Sequence, residues 1–134
     1  MKTRIYGICL GLLAASSLIA DDLAGVEKLL CASSYVNVCT IGGDCDAGTP
    51  ENWNMPVFVE IDLDNELLST TAASGESRTT AIDRLTRMDG QIFLQGIQGG
   101  VAFSIVIAEL TGDLSLAMAT DGETATGFGA CTPD

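Results

Sequence analysis

The side chains that usually perform catalysis are scarce in this chain. It has no histidine, so the commonest general base and the usual Ser-His-Asp arrangement are missing. Lys28 is the one lysine beyond the first few residues, and no Ser-x-x-Lys spacing sets a serine beside it. Carboxylates are plentiful, at Asp44 and Asp46, at Glu60, Asp62 and Asp64, and at Asp121 and Glu123. A calcium loop beginning at Asp44 would need its bidentate glutamate where Met55 stands. A glycosidase needs two carboxyls facing each other across a cleft. The acids around Glu60 instead alternate with apolar residues, which makes them a solvated strand face that holds a cation loosely at most. The residue set points to a non-enzymatic protein with no metal and no cofactor.

Cysteine and arginine offer binding and stapling chemistry instead. Cys31, Cys39, Cys45 and Cys131 are an even set in a small domain, which implies a disulfide framework with three pairings open. Zinc is the rival reading, but the chain has neither close Cys-x-x-Cys pairs nor histidine. Arg78, Arg84 and Arg87 are the only arginines after Arg4 and form one cationic spot in an acidic chain. They suit an anionic ligand or a partner's carboxylates, or pairing with acids on neighbouring strands. Trp53, inside Pro50-Glu51-Asn52-Trp53-Asn54-Met55-Pro56, is a candidate binding aromatic or a lid on one end of the core.

These residues must be carried by whatever follows the first segment. Lys2 and Arg4 precede an apolar run from Ile5 to Ala20, which ends at Asp21-Asp22. This is the pattern of a secretory signal peptide over residues 1–20, and the run is shorter than the roughly 20 apolar residues of a spanning helix. Cys9 would leave with it, and no stable membrane anchor would remain. Residues 21–134 are then one domain of about 114 residues. They hold four basic and 18 acidic side chains, a charge of −14. Such a surface disfavours nucleic acid and anionic lipid but not a cationic partner; solubility alone also explains it.

Apolar periodicity predicts an all-β fold. Leu23, Val26 and Leu30 sit at helical spacing, giving a short helical turn or a loose entry segment. From Val57 onward period two takes over: Val57, Val59, Ile61 and Leu63 share one face, Glu60, Asp62 and Asp64 the other. Asp64-Asn65, Asp89-Gly90, Thr111-Gly112-Asp113 and Asp121-Gly122 read as turns. Thr79 to Met88 reads as one strand. Val101, Phe103, Ile105 and Ile107, then Leu114, Leu116 and Met118, point inward on two more. The expectation is about eight short antiparallel strands in an up-and-down meander, a closed lipocalin-like barrel first and a two-sheet sandwich second.

Closing such a meander makes its first and last strands neighbours, which pairs Cys31 with Cys131 and leaves Cys39 and Cys45 as a local clip. In the chain-entropy model a loop of about 100 residues contributes roughly 4.7 kcal/mol and a clip of about seven roughly 2.4. So small a barrel is expected to be filled by side chains.

Cys39 through Cys45-Asp46-Ala47-Gly48-Thr49-Pro50-Glu51, Asp89-Gly90-Gln91-Ile92-Phe93-Leu94-Gln95-Gly96, Thr111-Gly112-Asp113 and Phe128-Gly129-Ala130-Cys131-Thr132 together carry a likeness. The chain resembles a group of small exported proteobacterial β proteins of unassigned function, over most of residues 21–134. The resemblance implies a periplasmic or secreted β domain and brings no catalytic residues. Phe103-Ser104 departs from the Trp-Ser expected there. In charge and fold the chain is also similar to periplasmic lysozyme inhibitors, whose inhibitory loop Ser74-Gly75-Glu76-Ser77-Arg78 resembles, although their tyrosine and tryptophan content is missing. The functions left open are a binding or structural role in the cell envelope, inhibition of a cationic protein such as lysozyme, and a small lipocalin-like carrier.

Overall fold

The computed structural model describes residues 22–74 and 77–134. The expected signal peptide and Cys9 lie outside the described residues, as do Gly75 and Glu76 of the Ser-Gly loop. Among the described residues, ten antiparallel strands form one curled, half-barrel sheet. They are β1 (Lys28–Thr40), β2 (Cys45–Gly48), β3 (Phe58–Asp62), β4 (Leu67–Thr70), β5 (Thr79–Ala81), β6 (Arg84–Met88), β7 (Gln91–Gln98), β8 (Val101–Ala108), β9 (Asp113–Thr120) and β10 (Glu123–Pro133). Two short 3-10 turns, Pro50–Trp53 and Ala72–Ser74, are the only helical elements among the described residues.

The order β5-β4-β3-β1-β10-β9-β8-β7-β6 places β1 and β10 side by side at the centre, while β2 pairs the far half of β1. This corrects the expectation in three ways: the sheet is single rather than a sandwich, it has ten strands rather than eight, and the barrel is open. The seam lies where the sequence suggested one continuous strand. At Ile82-Asp83 the chain changes partner: Ile82 N donates to Glu66 O at 2.8 Å, and Asp83 N donates to Gln95 O at 2.9 Å. The Asp83 carboxylate also accepts from Ile97 N at 3.0 Å. Burying Ile82 while its neighbour is held to β7 bends the chain, so β5 continues β4 and β6 continues β7 with no ladder between them.

The pairing of β1 with β10 holds despite the open seam. Cys31 lies directly opposite Cys131 and Cys39 opposite Cys45, and both pairs are disulfide-bonded. Two disulfides suggest an oxidising compartment outside the cytoplasm. Among the described residues, no helix is long and apolar enough to cross a membrane.

Ser34 is an extra residue in β1: Ser33 faces Gly129 but Tyr35 faces Phe128. This bulge moves the inward set from odd to even positions, so that Leu29 and Cys31 share the core face with Val36 and Val38. The backbones close up there, and a Cβ on Gly129 would stand 2.2 Å from Ala32 O.

Candidate functional site

One end of the curled sheet is closed. Residues 22–27 form a turn, neither the expected helical turn nor a loose segment, and Leu23 is fully buried at 0% exposure. Leu23 N donates to Glu109 O at 2.8 Å, and Leu63 N donates to Glu27 O at 2.8 Å. Arg87 seals the same end: its guanidinium lies 3.2 Å from the Glu109 carboxylate and donates to Val26 O. Leu29, Ile82, Ile92, Leu94 and Ile107 pack above this plug as the main core.

The other end is hollow. A cavity of about 560 Å³ opens between the two arms of the sheet, which overturns the expectation of a filled barrel. Val59 and Ile61 of β3, Leu68 of β4, Phe103 and Ile105 of β8, and Leu116 and Met118 of β9 line it. β10, which mates with both β1 and β9, carries Ala125, Gly127 and Gly129 at its less exposed positions and contributes no residue to the cavity wall.

Polar side chains share the wall with the apolar ones: Ser33, Asn54, Thr70, Arg78, Thr80 and Gln98 also line the cavity, Thr70 opposite Val59 and Thr80 opposite Leu68. Arg78 is positioned by reciprocal hydrogen bonds with Thr70: Thr70 N donates to Arg78 O at 2.9 Å, and Arg78 N donates to Thr70 Oγ1 at 3.0 Å. A second hollow of about 420 Å³, lined by Glu51, Phe58 and Ser74 among others, lies on the far side of Asn54, Met55 and Pro56, and these three residues border both. The strap leaves the 3-10 turn through Asn54, whose φ of 55° is left-handed.

The three arginines are distributed rather than gathered. Arg78 borders the cavity, Arg87 belongs to the closed end, and Arg84 is exposed on β6 at a position that points away from Arg87's face. Trp53 is half-buried next to the strap. It packs with Met55 and Met118 on a small cluster of Val36, Val38 and Ala125, and its ring leaves a Cβ on Gly48 only 3.2 Å. It therefore lids that cluster, one residue from the cavity rim. Cys31 reaches the cavity wall, Cys131 lies in the core beside it, and the Cys39–Cys45 clip sits on the partly exposed far half of β1.

Several of the described acids are engaged structurally, among them Asp22, Asp83 and Glu109. Asp62 accepts from the Asn65 side chain and from Asn65 N, both at 2.9 Å, and lies 3.6 Å from Lys28. The Asn65 side chain, then its backbone N–H, with Lys28 adding less, holds the Asp62 carboxyl below the usual carboxylate range. Sequence reasoning did not find the aliphatic cavity, because alternation marks inward positions without saying how completely they fill the space between the arms. No protein-family model, curated protein or solved structure matches this chain, so its functional reading rests on the geometry of the hollow end.

Proposed function

We propose that this is an exported, non-enzymatic binding protein that holds a small apolar ligand in the open end of its curled sheet, in the periplasm or outside the cell. The observation that carries the reading is the cavity of about 560 Å³, lined mainly by aliphatic and aromatic side chains with a few polar ones among them. Pockets for small ligands typically measure about 300–1,000 Å³ and combine apolar walls with a few placed polar groups. An apolar guest gains about 25 cal/mol for each Å² it removes from water, and the polar groups in the wall fix its orientation. A carrier of this kind asks for no nucleophile, general base or metal, consistent with a chain that has no histidine.

A neutral apolar dye such as Nile red, titrated into the oxidised protein, is the direct test. Leu116→Trp puts an indole into the cavity from β9. Saturable dye binding to the parent and its loss in L116W, with both unfolding cooperatively, is the expected result. Absence of saturable binding to the parent would remove the carrier reading. The charge of −14 over residues 21–134 supports a second reading, a binder of a cationic protein such as lysozyme. Unchanged lysozyme kinetics with excess protein at low salt would discard that one.

A further inference from the structure

We propose that the outer face of strands β10, β9, β8 and β7 docks a second copy of this chain, face to face about a two-fold axis. This is the side of the sheet opposite the cavity, so the proposal stands or falls independently of the carrier reading. Leu94, Ile105, Leu116 and Ala125 turn inward on these four strands, so their chain neighbours point outward. The ladders set those neighbours in rows. Phe128, Ser115, Val106 and Phe93 stand level across the four strands. Thr126, Ala117, Ser104 and Gln95 form the next row, and Thr124, Ala119, Ala102 and Ile97 the third. None of these twelve residues is charged and none is buried; Phe128 is 58% exposed and Ile97 68%. β1 lengthens each row by one more uncharged residue, Tyr35, Asn37 and Cys39.

A strand face left to water is where charged side chains normally go, and this chain has 18 acids to place. They stand around the face rather than on it. Glu60 and Asp62 point outward from β3, Asp113 opens β9, and Asp89 and Asp121 sit in hairpin turns. Depletion of charge together with aromatic residues marks the core of a protein interface. The charge pattern also selects the occupant. A cationic partner gains from carboxylates at the contact, and these rows hold none. Anionic lipid is repelled by the charge of −14 over residues 21–134. A second copy brings that same charge, so two copies can meet only where both are free of it, and a two-fold contact sets one patch against itself.

Shape agrees with charge. The sheet is curled, so β9 and β8 form the crest of this outer face and β10 and β7 fall away on either side. In each row the two crest residues are smaller than the two that flank them, as Ser115 and Val106 are between Phe128 and Phe93. That grading levels the curve for packing against another sheet about 10 Å away. Five strands about 4.8 Å apart and three rows about 7 Å apart cover roughly 24 by 20 Å, or about 480 Å² on each copy. A pair then buries about 1,000 Å², the lower bound for a specific interface and the range of reversible ones.

Sedimentation velocity of the oxidised protein over a concentration series is the test, with Ala117→Glu placing a carboxylate at an exposed crest position. The parent should dimerise with a dissociation constant of about 1–100 µM. Raising salt from about 0.01 to about 0.1 M cuts the screening length from about 30 to about 10 Å, so the dimer should tighten about three- to tenfold. In A117E association should fall at least about tenfold, because like charges then face each other across the contact. Its circular dichroism, Trp53 emission and Nile red binding should stay as in the parent, and Ala117→Ser should dimerise as the parent does. A parent that is monomeric throughout the series, a dimer that salt weakens, or one that A117E leaves intact would overturn the assignment. A monomeric parent that instead binds lysozyme or phosphatidylcholine vesicles, and loses that binding in A117E, would give the face to that partner and overturn it equally.

Discussion

The Cys31–Cys131 bridge joins the two strands on which the rest of the sheet hangs. The arm β3-β4-β5 builds out from β1, and the arm β9-β8-β7-β6 builds out from β10. Because no ladder joins β5 to β6, the β1–β10 ladder is the main hydrogen-bonded connection between the arms, and the bridge cross-links that ladder covalently. Its residues are 100 apart, against 6 for the Cys39–Cys45 clip. Removing it with Cys31→Ala and Cys131→Ala releases a loop worth about 4.7 kcal/mol of denatured-state entropy, against about 2.4 for the clip. Both sulfurs of the long bridge are buried, so lost packing adds to the first figure. With a urea m-value of about 1.5 kcal/mol/M, the midpoint falls by about 3 M for the long bridge and about 1.6 M for the clip. Small domains are stable by about 5–15 kcal/mol, so the variant lacking the long bridge approaches the edge of folding. The assay is equilibrium urea unfolding of the parent and the two double variants, followed by far-UV circular dichroism and Trp53 emission. Equal midpoint losses in the two variants, or a larger loss for the clip, would refute the assignment of the sheet's stability to the closure of its central ladder.

Three other outcomes follow from particular contacts. Gly112→Ala should lower stability by more than about 1 kcal/mol, because φ there is +73° and a Cβ would lie 2.2 Å from Cys131 O; thermal unfolding measures it. Gly129→Ala should also destabilise, and it should disturb amide exchange at Ser33 and Tyr35, since its Cβ would meet Ala32 O at the bulge. Asp62 has its native pKa held below 3.8, so its share of stability is present above that value and is lost as pH falls through the lowered one. In Asn65→Ala the Asp62 titration followed by carboxyl NMR should move up towards the ordinary value, and the acid limb of stability should flatten. An unmoved titration would refute Asn65 as the cause.

The strand content and both disulfides were legible because each depends on local alternation or on the order of strands. Val59, Ile61, Ile105, Ile107 and Leu114 turn inward as period two requires. The Cys31–Cys131 pairing followed from a meander whose ends meet, and it holds although the barrel does not close, because the opening falls elsewhere. What alternation cannot express is a change of partner. Thr79 to Met88 carries a strand pattern throughout, and only the tertiary bonds of Ile82 and Asp83 divide it between β4 and β7. The bulge at Ser34 was hidden for a related reason: one extra residue reverses the inward set without altering composition.

Period two says which positions turn inward and nothing of the volume they hold. Ala125, Gly127, Gly129 and Cys131 occupy the core face of β10 in strict alternation, so the pattern reads as core while the volume is missing. The small residues are required by close approach, since a Cβ on Gly127 would lie 2.8 Å from Tyr35 O. Bulk on the central strand is thus ruled out by the backbone of its neighbour. A ligand that fills the cavity binds the folded chain alone, and at 100 times its Kd it adds about 2.7 kcal/mol of stability. Raising the concentration of a neutral amphiphile such as dodecanol should therefore raise the unfolding temperature of the parent steadily and leave that of L116W unchanged. A parallel rise in both proteins would mean that the amphiphile acts on the surface and that the hollow end is not its site.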